Sequence, residues 1–248
     1  MERLLRATAD AETRHFWFRG FRLFVTPLLQ RAAAGRPHLR LLDCGCGTGN
    51  NLDLLNRFGH AYGVDLTDAG LRIGREAGRR GLARATVATL PFARNAFDIV
   101  TSFDVLYSLP EREERQAVAE MHRVTKPGGF VLINVAAMPL LHGNHSVLSH
   151  ELRRYSLKSL STLVASAGFA IDRITYTNAI LFVPMTVGRA LQRWCGLAAE
   201  AEAVQDIRVP PAPVNLTLTA LLRAESLWLR AFDNPFGSSL LCLAKKPA

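Results

Sequence analysis

Three glycines in one short segment alternate with other residues, and an acidic residue precedes them. The segment Asp43–Asn50 reads DCGCGTGN, and it follows an apolar run that is typical of a buried strand. Glycine allows the backbone to turn sharply and allows a ligand to lie close to the main chain. We therefore predict that this loop binds a ligand through Asp43, Gly45, Cys46, Gly47, Gly49 and Asn50.

The spacing of these glycines restricts the class of ligand. A dinucleotide-binding loop reads G-x-G-x-x-G, which would place its third glycine at Asn50. The carboxylate of Asp43 would repel a pyrophosphate, whereas it could pair with a cationic ligand. Alternatively, Asp43 only ties the loop together through hydrogen bonds. A nicotinamide oxidoreductase is the least favoured interpretation.

A second acidic residue, Asp65, ends the next predicted strand, 20 residues after Gly45. A carboxylate in this place can accept hydrogen bonds from both hydroxyls of a ribose. The alternative role, the N-cap of a helix, can be filled by Thr67 or Asp68. Together, the loop and Asp65 indicate a nucleoside with a positively charged head that is not a phosphate. S-adenosyl-L-methionine fits this description.

Short apolar strands alternate with longer helical patterns along the chain. The predicted strands lie at 40–43, 61–65, 85–88, 97–102, 130–135, 170–176 and 239–244. Helices are predicted at 50–58, 67–80, 111–125, 156–167, 181–197 and 216–232, and an aromatic helix precedes the first strand. This alternation favours a parallel sheet with helices on both faces, whose strands end at one edge, where ligands bind.

These motifs resemble those of class I S-adenosylmethionine-dependent methyltransferases over roughly residues 38–177 and the last strand. The loop at 43–49 matches the family's D-x-G-x-G-x-G, and Arg123–Gly129 resembles its RVLKPGG turn. In that family the loop holds the methionine part of the cofactor, and the acid after the second strand holds the ribose. The resemblance extends the cofactor-binding candidates to Leu66 on the adenine and to Thr86, Val87 and Phe103. Because family members often have Asp where Thr86 stands, main-chain groups of Val87 are expected to share adenine recognition.

A closer similarity is to the small-molecule subgroup of that family, the UbiE-like methyltransferases of type 11. The subgroup opens with H-F-W-F, as His15–Phe18 does, and has a histidine-rich loop that His150–Tyr155 resembles. The resemblance implies a doubly wound, seven-stranded, Rossmann-like α/β fold, mostly parallel with an antiparallel last strand. The predicted organisation is an N-terminal helical cap (1–37), a cofactor domain (38–177 and 238–248) and a helical insertion (178–237).

Methyl transfer from a sulfonium mainly requires the protein to align the acceptor and to exclude water. Histidine has the right pKa for a base at neutral pH, so we rank His145, then His150, then His142 as candidates. Tyr107, near the end of the fourth strand, can contact the substrate or simply stack. These three histidines also raise the alternative of a metal site. Because no acid lies among them before Glu151, we predict no metal.

Further substrate-binding candidates flank these residues. Phe16 and Trp17 can form a lid over the cofactor and the substrate, or they can be an ordinary apolar stripe. Arg154 and Tyr155 can close the site or bind an acidic substrate, with a structural ion pair as the alternative for Arg154. The histidine loop departs from the subgroup, because Asn144-His145 stands where a His-Asp pair is usual.

Composition excludes several classes of protein. The chain has 248 residues, 49% of them hydrophobic, and a formal net charge of +9. Its basic residues are scattered and form no stripe, which disfavours a nucleic-acid partner. The four cysteines lack the spacing of zinc ligands, no apolar run is long enough for a membrane span, and no signal peptide is apparent. We predict a cytoplasmic enzyme.

The leading hypothesis is methylation of a small molecule in a biosynthetic pathway. A nucleic-acid methyltransferase and a non-methylating protein that binds the same cofactor are the alternatives. The insertion can roof the substrate pocket or form the interface of a homodimer.

Overall fold

A computed structural model describes residues 11–138, 141, 151–195 and 209–248, and it contains one seven-stranded sheet. The strands are β1 (Leu39–Cys44), β2 (Gly59–Asp65), β3 (Leu82–Arg84), β4 (Phe97–Phe103), β5 (Thr125–Ala136), β6 (Ala170–Thr177) and β7 (Ser239–Lys245). Their order is β3-β2-β1-β4-β5-β7-β6, and β7 alone runs antiparallel to its neighbours. The predicted fold class is therefore confirmed.

Helices cover both faces of this sheet. They are α1 (Phe16–Ala33), α2 (Leu52–Leu55), α3 (Asp68–Glu76), α4 (Glu111–Val124), α5 (Leu157–Ser166), α6 (Phe182–Cys195) and α7 (Ala212–Trp228), with a 3₁₀ turn at Leu106–Ser108. Adjacent strand residues enter different cores: Leu41 packs beneath α1, whereas Leu42 packs in the cluster that contains Met121 of α4. Burial on both faces explains why the strands are apolar runs rather than alternating patterns.

Two elements of the predicted secondary structure differ from the observed ones near β2. The strand predicted at 85–88 is wrong: β3 is Leu82–Arg84 and pairs with Gly63–Asp65. Pairing stops because β2 itself ends at Asp65. The helix predicted to reach residue 80 ends at Glu76, because the chain turns at Gly78, whose φ is 80°.

The last long helix, α7, packs directly against α1. Phe16 N donates to Asn215 Oδ1 (2.8 Å), and Asn215 Nδ2 donates to the carbonyl of Arg14 (2.8 Å). Leu222 fills the space beside Gly20, where a Cβ would lie 2.3 Å from its Cδ1. The N-terminal helix and the insertion therefore meet, and the division of the chain into three parts stays a prediction.

Glu225 connects α7 to the segments that flank it. Its carboxylate is buried and accepts hydrogen bonds from Ala179 N (2.9 Å), Ile180 N (3.2 Å) and Asn234 Nδ2 (2.9 Å). We expect Glu225→Ala to lower the free energy of unfolding by about 2–4 kcal/mol, because two partly buried main-chain donors and the buried Asn234 amide lose their acceptor. Urea unfolding measures this loss. Exposed Arg223→Ala is the control, and equal stability of the two variants would contradict the assignment.

Among the described residues, none of the helices combines the length and apolar character required to cross a bilayer.

Candidate functional site

The glycine loop leaves the carboxyl end of β1 in a left-handed backbone conformation. Gly45, Gly47 and Gly49 have φ values of 80°, 55° and 77°, a region that side-chain-bearing residues rarely adopt. Gly45 N and Cys46 N both donate to the carbonyl of Val64 (2.8 and 2.9 Å), so the loop is attached to β2. Gly45 also contacts the segment after β4, because a Cβ there would lie 2.2 Å from Cγ2 of Val105.

Helix α3 supports the loop from behind. Cβ atoms at Gly70 and Gly74 would lie 2.9 Å from the carbonyl oxygen of Gly47 and 2.3 Å from that of Thr48. These two glycines therefore allow helix and loop to approach at backbone distance. The opposite side of Gly47 is open, since a Cβ there would meet no atom within 4 Å. A ligand can reach the main chain at Gly47.

Asp65 has a structural role as well as a position suited to a ribose. Its Oδ2 accepts from Gly47 N (2.8 Å), and its Oδ1 accepts from Thr67 N (2.7 Å). The side chain of Thr67, the N-cap of α3, makes no capping bond, and Asp65 instead holds the main chain of Thr67 in a turn directly before the helix. A carboxylate has about four acceptor sites, which leaves capacity for the hydroxyls of a sugar.

Asp43 is a buried carboxylate with incomplete hydrogen bonding. It is 1% exposed, and its Oδ1 accepts from the Thr101 hydroxyl (2.7 Å). Its Oδ2 is buried and accepts no hydrogen bond from the described residues. Burial, and secondarily the charge of Asp65, raise the pKa of Asp43 to about 7, while the Thr101 hydroxyl and the side chain of nearby Asn51 oppose this rise. This unpaired oxygen fits a cationic or hydrogen-bond-donating ligand such as the amino-acid part of S-adenosylmethionine.

The raised pKa of Asp43 predicts how stability depends on pH. Because it lies above the ordinary value of 3.8, the folded state holds a proton that the unfolded state has released, from about pH 4 to about pH 7. Asp43 thus costs stability as pH rises through this window. We expect Asp43→Asn to gain about 1–3 kcal/mol relative to wild type between pH 5 and pH 8. Melting temperatures of both proteins at the two pH values measure the gain.

Exposed Asp68→Asn serves as the control and should show no such pH-dependent difference. A constant difference between Asp43→Asn and wild type at both pH values would contradict the assigned pKa.

Two further loop residues have structural partners. Cys46 Sγ lies against β2, where a Cβ at Gly63 would be 2.7 Å away, and burial raises the pKa of its thiol well above the usual range. Asn50 Oδ1 accepts from Arg79 Nη2 (2.8 Å), and Arg79 Nη1 also donates to the Thr48 carbonyl (3.2 Å). Arg79 therefore stabilises the loop, a role that the sequence did not reveal because Arg79 lies 29 residues after Asn50.

The remaining cofactor-binding candidates differ in accessibility. Leu66 is 63% exposed beside Asp65, so its side chain can pack on a ligand. Thr86 Oγ1 accepts from Ala88 N (3.2 Å), and the side chain of Val87 is buried in the core, which leaves its main chain for recognition. Phe103 is buried and packs edge-to-face on Phe21 of α1, with ring centroids 4.9 Å apart.

A cavity of about 450 Å³ lies at the same edge of the sheet, where β4 and β5 end and β7 begins. Aromatic and aliphatic side chains form most of its wall, among them Phe16, Trp17, Phe18, Tyr107, Leu181 and Met185. Its polar lining includes His15, Asp104, Glu151, Arg154, Ser238 and Ser239. The two predicted aromatic candidates and Tyr107 are thus brought together, with Tyr107 in the 3₁₀ turn after β4.

Asp104 is the polar residue of this cavity that sequence reasoning missed. Its backbone has a φ of 60°, its N donates to the Asn134 carbonyl (3.0 Å), and its Oδ1 accepts from Asn134 Nδ2 (2.9 Å). Although the side chain of Asp104 is exposed to the cavity, desolvation by the cavity walls raises its pKa; nearby Glu151 adds to the rise, and Asn134 and Arg154 oppose it. The available signal was an acidic residue directly after a buried strand.

The other predicted catalytic and substrate residues are placed differently. Arg154 forms a two-point ion pair with Glu151 (2.9 and 3.0 Å) and donates to the Ala137 carbonyl (3.0 Å). The hydroxyl of Tyr155 donates to buried Glu114 of α4, away from the cavity. His142, His145 and His150 lie outside the described residues.

Comparison with known proteins relates the segment around the glycine loop to methyltransferases. A family model described as a methyltransferase domain matches residues 42–133, which include the glycine loop, Asp43, Asp65 and Asp104. This segment of the chain resembles a methyltransferase domain. Over 148 residues it is 32% identical to the ubiquinone/menaquinone biosynthesis C-methyltransferase UbiE of Shewanella piezotolerans, covering 54% of this chain and 55% of that protein. The chain spans about half the length of the curated relatives it matches.

Solved structures resemble the methyltransferase domain and the elements around it. The [4+2]-cyclase SpnF has a TM-score of 0.57 at 21% identity, covering 90% of this chain and 80% of that chain. Phosphoethanolamine N-methyltransferase 2 of Haemonchus contortus, in complex with S-adenosyl-L-methionine, has a TM-score of 0.56 at 20% identity, covering 90% and 52%. At these sequence identities, the similarity shows that this chain and those proteins share a fold.

Proposed function

We propose that this protein transfers a methyl group from S-adenosyl-L-methionine to an uncharged, largely apolar small molecule bound in the cavity. The observation that carries the proposal is the segment after β4, which belongs to both sites. Val105 contacts Gly45 of the glycine loop, and its neighbour Asp104 lines the cavity. A cofactor on the loop and an acceptor in the cavity would therefore meet at the end of β4.

The cofactor site divides into parts with different chemistry. Asp43 would receive the cationic amino-acid part at its unpaired Oδ2, and the open face of Gly47 would lie beside it. Asp65 would hold the ribose, and Leu66 the adenine. When bound, the cofactor supplies a methyl group on a sulfonium, which is a good leaving group.

The residues of the chain contribute mainly alignment and exclusion of water. The aromatic start of α1 and the start of α6 enclose the cavity, so an apolar acceptor would displace water on binding. Well-oriented reactants gain up to about 7–11 kcal/mol in barrier reduction from alignment alone. The N-terminal helix and the insertion therefore act as the acceptor-binding part of the enzyme.

Two features restrict the acceptor. Arg154 is already paired with Glu151, so it would bind an acidic substrate only weakly. The carboxylate of Asp104 would repel an acidic substrate. The UbiE relative is named a C-methyltransferase of quinone biosynthesis, which supports methylation of carbon in a biosynthetic pathway. We propose that the enzyme works in the cytoplasm.

Calorimetry with S-adenosylhomocysteine tests the cofactor half of the proposal, and we expect micromolar binding with one site per chain. Incubation of the enzyme with S-adenosylmethionine and a panel of apolar hydroxylated compounds tests the other half. The expected result is one S-adenosylhomocysteine released for each product that is heavier by one methylene. Absence of binding to the nucleoside, or a product of unchanged mass, would overturn the proposed function.

A further inference from the structure

Glu12 precedes α1 and reaches the glycine loop. Its partly buried carboxyl group lies among the side chains of Arg79, Arg22 and Thr48. Thr48 belongs to the loop, and Arg79 binds the loop by donating to the Thr48 carbonyl (3.2 Å) and to Asn50 Oδ1 (2.8 Å). The segment before α1 therefore contacts the same loop on which the nucleoside is proposed to bind.

Three polar atoms at this contact are buried and have no hydrogen-bond partner among the described residues: Glu12 Oε2, Thr48 Oγ1 and Arg79 Nε. Arg79 Nε donates, Glu12 Oε2 accepts, and the Thr48 hydroxyl can do both, so the three atoms are complementary. A buried polar atom left unpaired costs about 1–3 kcal/mol. A small shift that pairs these atoms is therefore favourable, and the contact can tighten when a ligand fixes the loop.

Charge favours the same contact. The guanidinium groups of Arg79 and Arg22 attract the carboxylate of Glu12. Burial raises the pKa of Glu12 to about 7; the two arginines and the Thr48 hydroxyl oppose this rise, and Asp53 adds to it. At pH 8 most molecules therefore carry Glu12 as a carboxylate that the arginines attract.

The residues that follow Glu12 form one wall of the cavity. The side chains of His15–Phe18 line it. A short turn connects them to Glu12, because Arg14 N and His15 N both donate to the carbonyl of Ala11 (2.9 and 2.8 Å). A change in the position of Glu12 is therefore transmitted to the cavity wall over a few residues.

We propose that Glu12 is a positioning residue that couples the two sites: a nucleoside on the glycine loop fixes residues 12–18 and thereby strengthens binding in the cavity. The inference rests on the proposed function and goes beyond it by assigning the route and the direction of this coupling. The route runs from the open face of Gly47 through its neighbour Thr48 to Glu12, and then along the chain to His15–Phe18. Because coupling between two binding sites is reciprocal, an occupied cavity must tighten nucleoside binding by the same factor.

Hydrogen exchange of the wild-type protein at pH 8 tests the first step. We expect saturating S-adenosylhomocysteine to slow amide exchange in residues 13–20 by about fivefold, which is the lower end of the usual range of coupling between sites. Mass spectrometry of the peptides from this segment measures the rate.

Glu12→Ala removes the contact between the segment and the loop. We expect this variant to bind S-adenosylhomocysteine about fivefold more weakly than wild type and to show no slowing of exchange in residues 13–20 when the nucleoside is bound. Thr13→Ala is the matched control, since Thr13 is the next residue and is exposed. It should retain the wild-type affinity and the wild-type slowing.

A neutral apolar probe, N-phenyl-1-naphthylamine, tests the second step by its fluorescence. The part of the signal that Met185→Arg abolishes is binding in the cavity, because Met185 lines it. We expect saturating S-adenosylhomocysteine to tighten this binding about fivefold in wild type and in Thr13→Ala, and less than about twofold in Glu12→Ala. A purely structural role of Glu12 would weaken both ligands without changing this factor.

The inference is overturned if bound S-adenosylhomocysteine leaves exchange in residues 13–20 of wild type unchanged, or if folded Glu12→Ala keeps the wild-type coupling factor. The wild-type exchange measurement needs no variant, so it is decisive even where Glu12→Ala lowers stability. Calorimetry on the same samples separates the two proposals. Nucleoside binding without coupling refutes the role of Glu12 alone, whereas absence of nucleoside binding refutes the proposed function.

Discussion

Replacing Asp65 by alanine is expected to lower the affinity for S-adenosylhomocysteine by at least about 100-fold, because hydrogen bonds to a charged group are worth roughly 1.5–3 kcal/mol each. The substitution removes the acceptor for the ribose, and it also releases Gly47 N and Thr67 N, which Asp65 holds at 2.8 and 2.7 Å. The loop would then lose its order as well as its ligand contact. Isothermal calorimetry measures the change.

Asp68→Ala is the matched control for Asp65→Ala, since Asp68 lies three residues further on, is exposed and begins α3. Its affinity for the nucleoside should stay within about twofold of wild type. An Asp65→Ala protein that binds the nucleoside within threefold of wild type would remove Asp65 from the cofactor site.

Alanine at Gly47 and alanine at Gly45 are expected to fail in different ways. At Gly47 the new methyl group points into open space with a φ of 55°, so it costs about 1 kcal/mol of stability but occupies the ligand's side of the loop. At Gly45 it would lie 2.2 Å from Val105 Cγ2, which adds about 1–3 kcal/mol of overpacking to the backbone strain. We therefore expect Gly47→Ala to lose nucleoside affinity and Gly45→Ala to lose stability as well.

Thermal melting and calorimetry on both variants distinguish the two effects. Gly35→Ala controls for backbone strain alone, because its φ is 70° and its Cβ position is open, but it lies between α1 and β1, away from the loop. Equal loss of affinity in the Gly35 and Gly47 variants would show that strain, not occlusion of a ligand, explains the result.

The candidate cofactor residues could be selected from the sequence because their pattern is local. The alternating glycines and Asp43 lie within seven residues, and Asp65 is recognisable because it ends a strand. The structural role of Asp65 in holding the glycine loop was not predictable, because its hydrogen bond from Gly47 N joins residues that are 18 apart in sequence. β3 was misplaced because a three-residue strand carries too little periodicity to be located, and its ends depend on its partner β2.

The lining of the cavity could be predicted only in part, because distant segments assemble it. Phe16 and Trp17 line the cavity, which agrees with one of the two roles proposed for them. The side chains that surround them there come from α6 and from the start of β7, which are distant in sequence. The hydrogen bond between Asp104 and Asn134 was likewise not predictable, because the two residues are 30 apart in sequence. For Arg154 the structure shows an ion pair with Glu151, the structural alternative considered for it.

The origin of the cavity walls has an evolutionary consequence. Of the side chains around the cavity, Asp104 and Tyr107 come from the segment that matches the family model, and the rest come from outside residues 42–133. Under the proposed function, mutations in those outlying segments would change which acceptor is bound and would leave the proposed nucleoside site unchanged. Libraries for altering acceptor selectivity are therefore best confined to α1, α6 and α7, with residues 42–133 left unchanged.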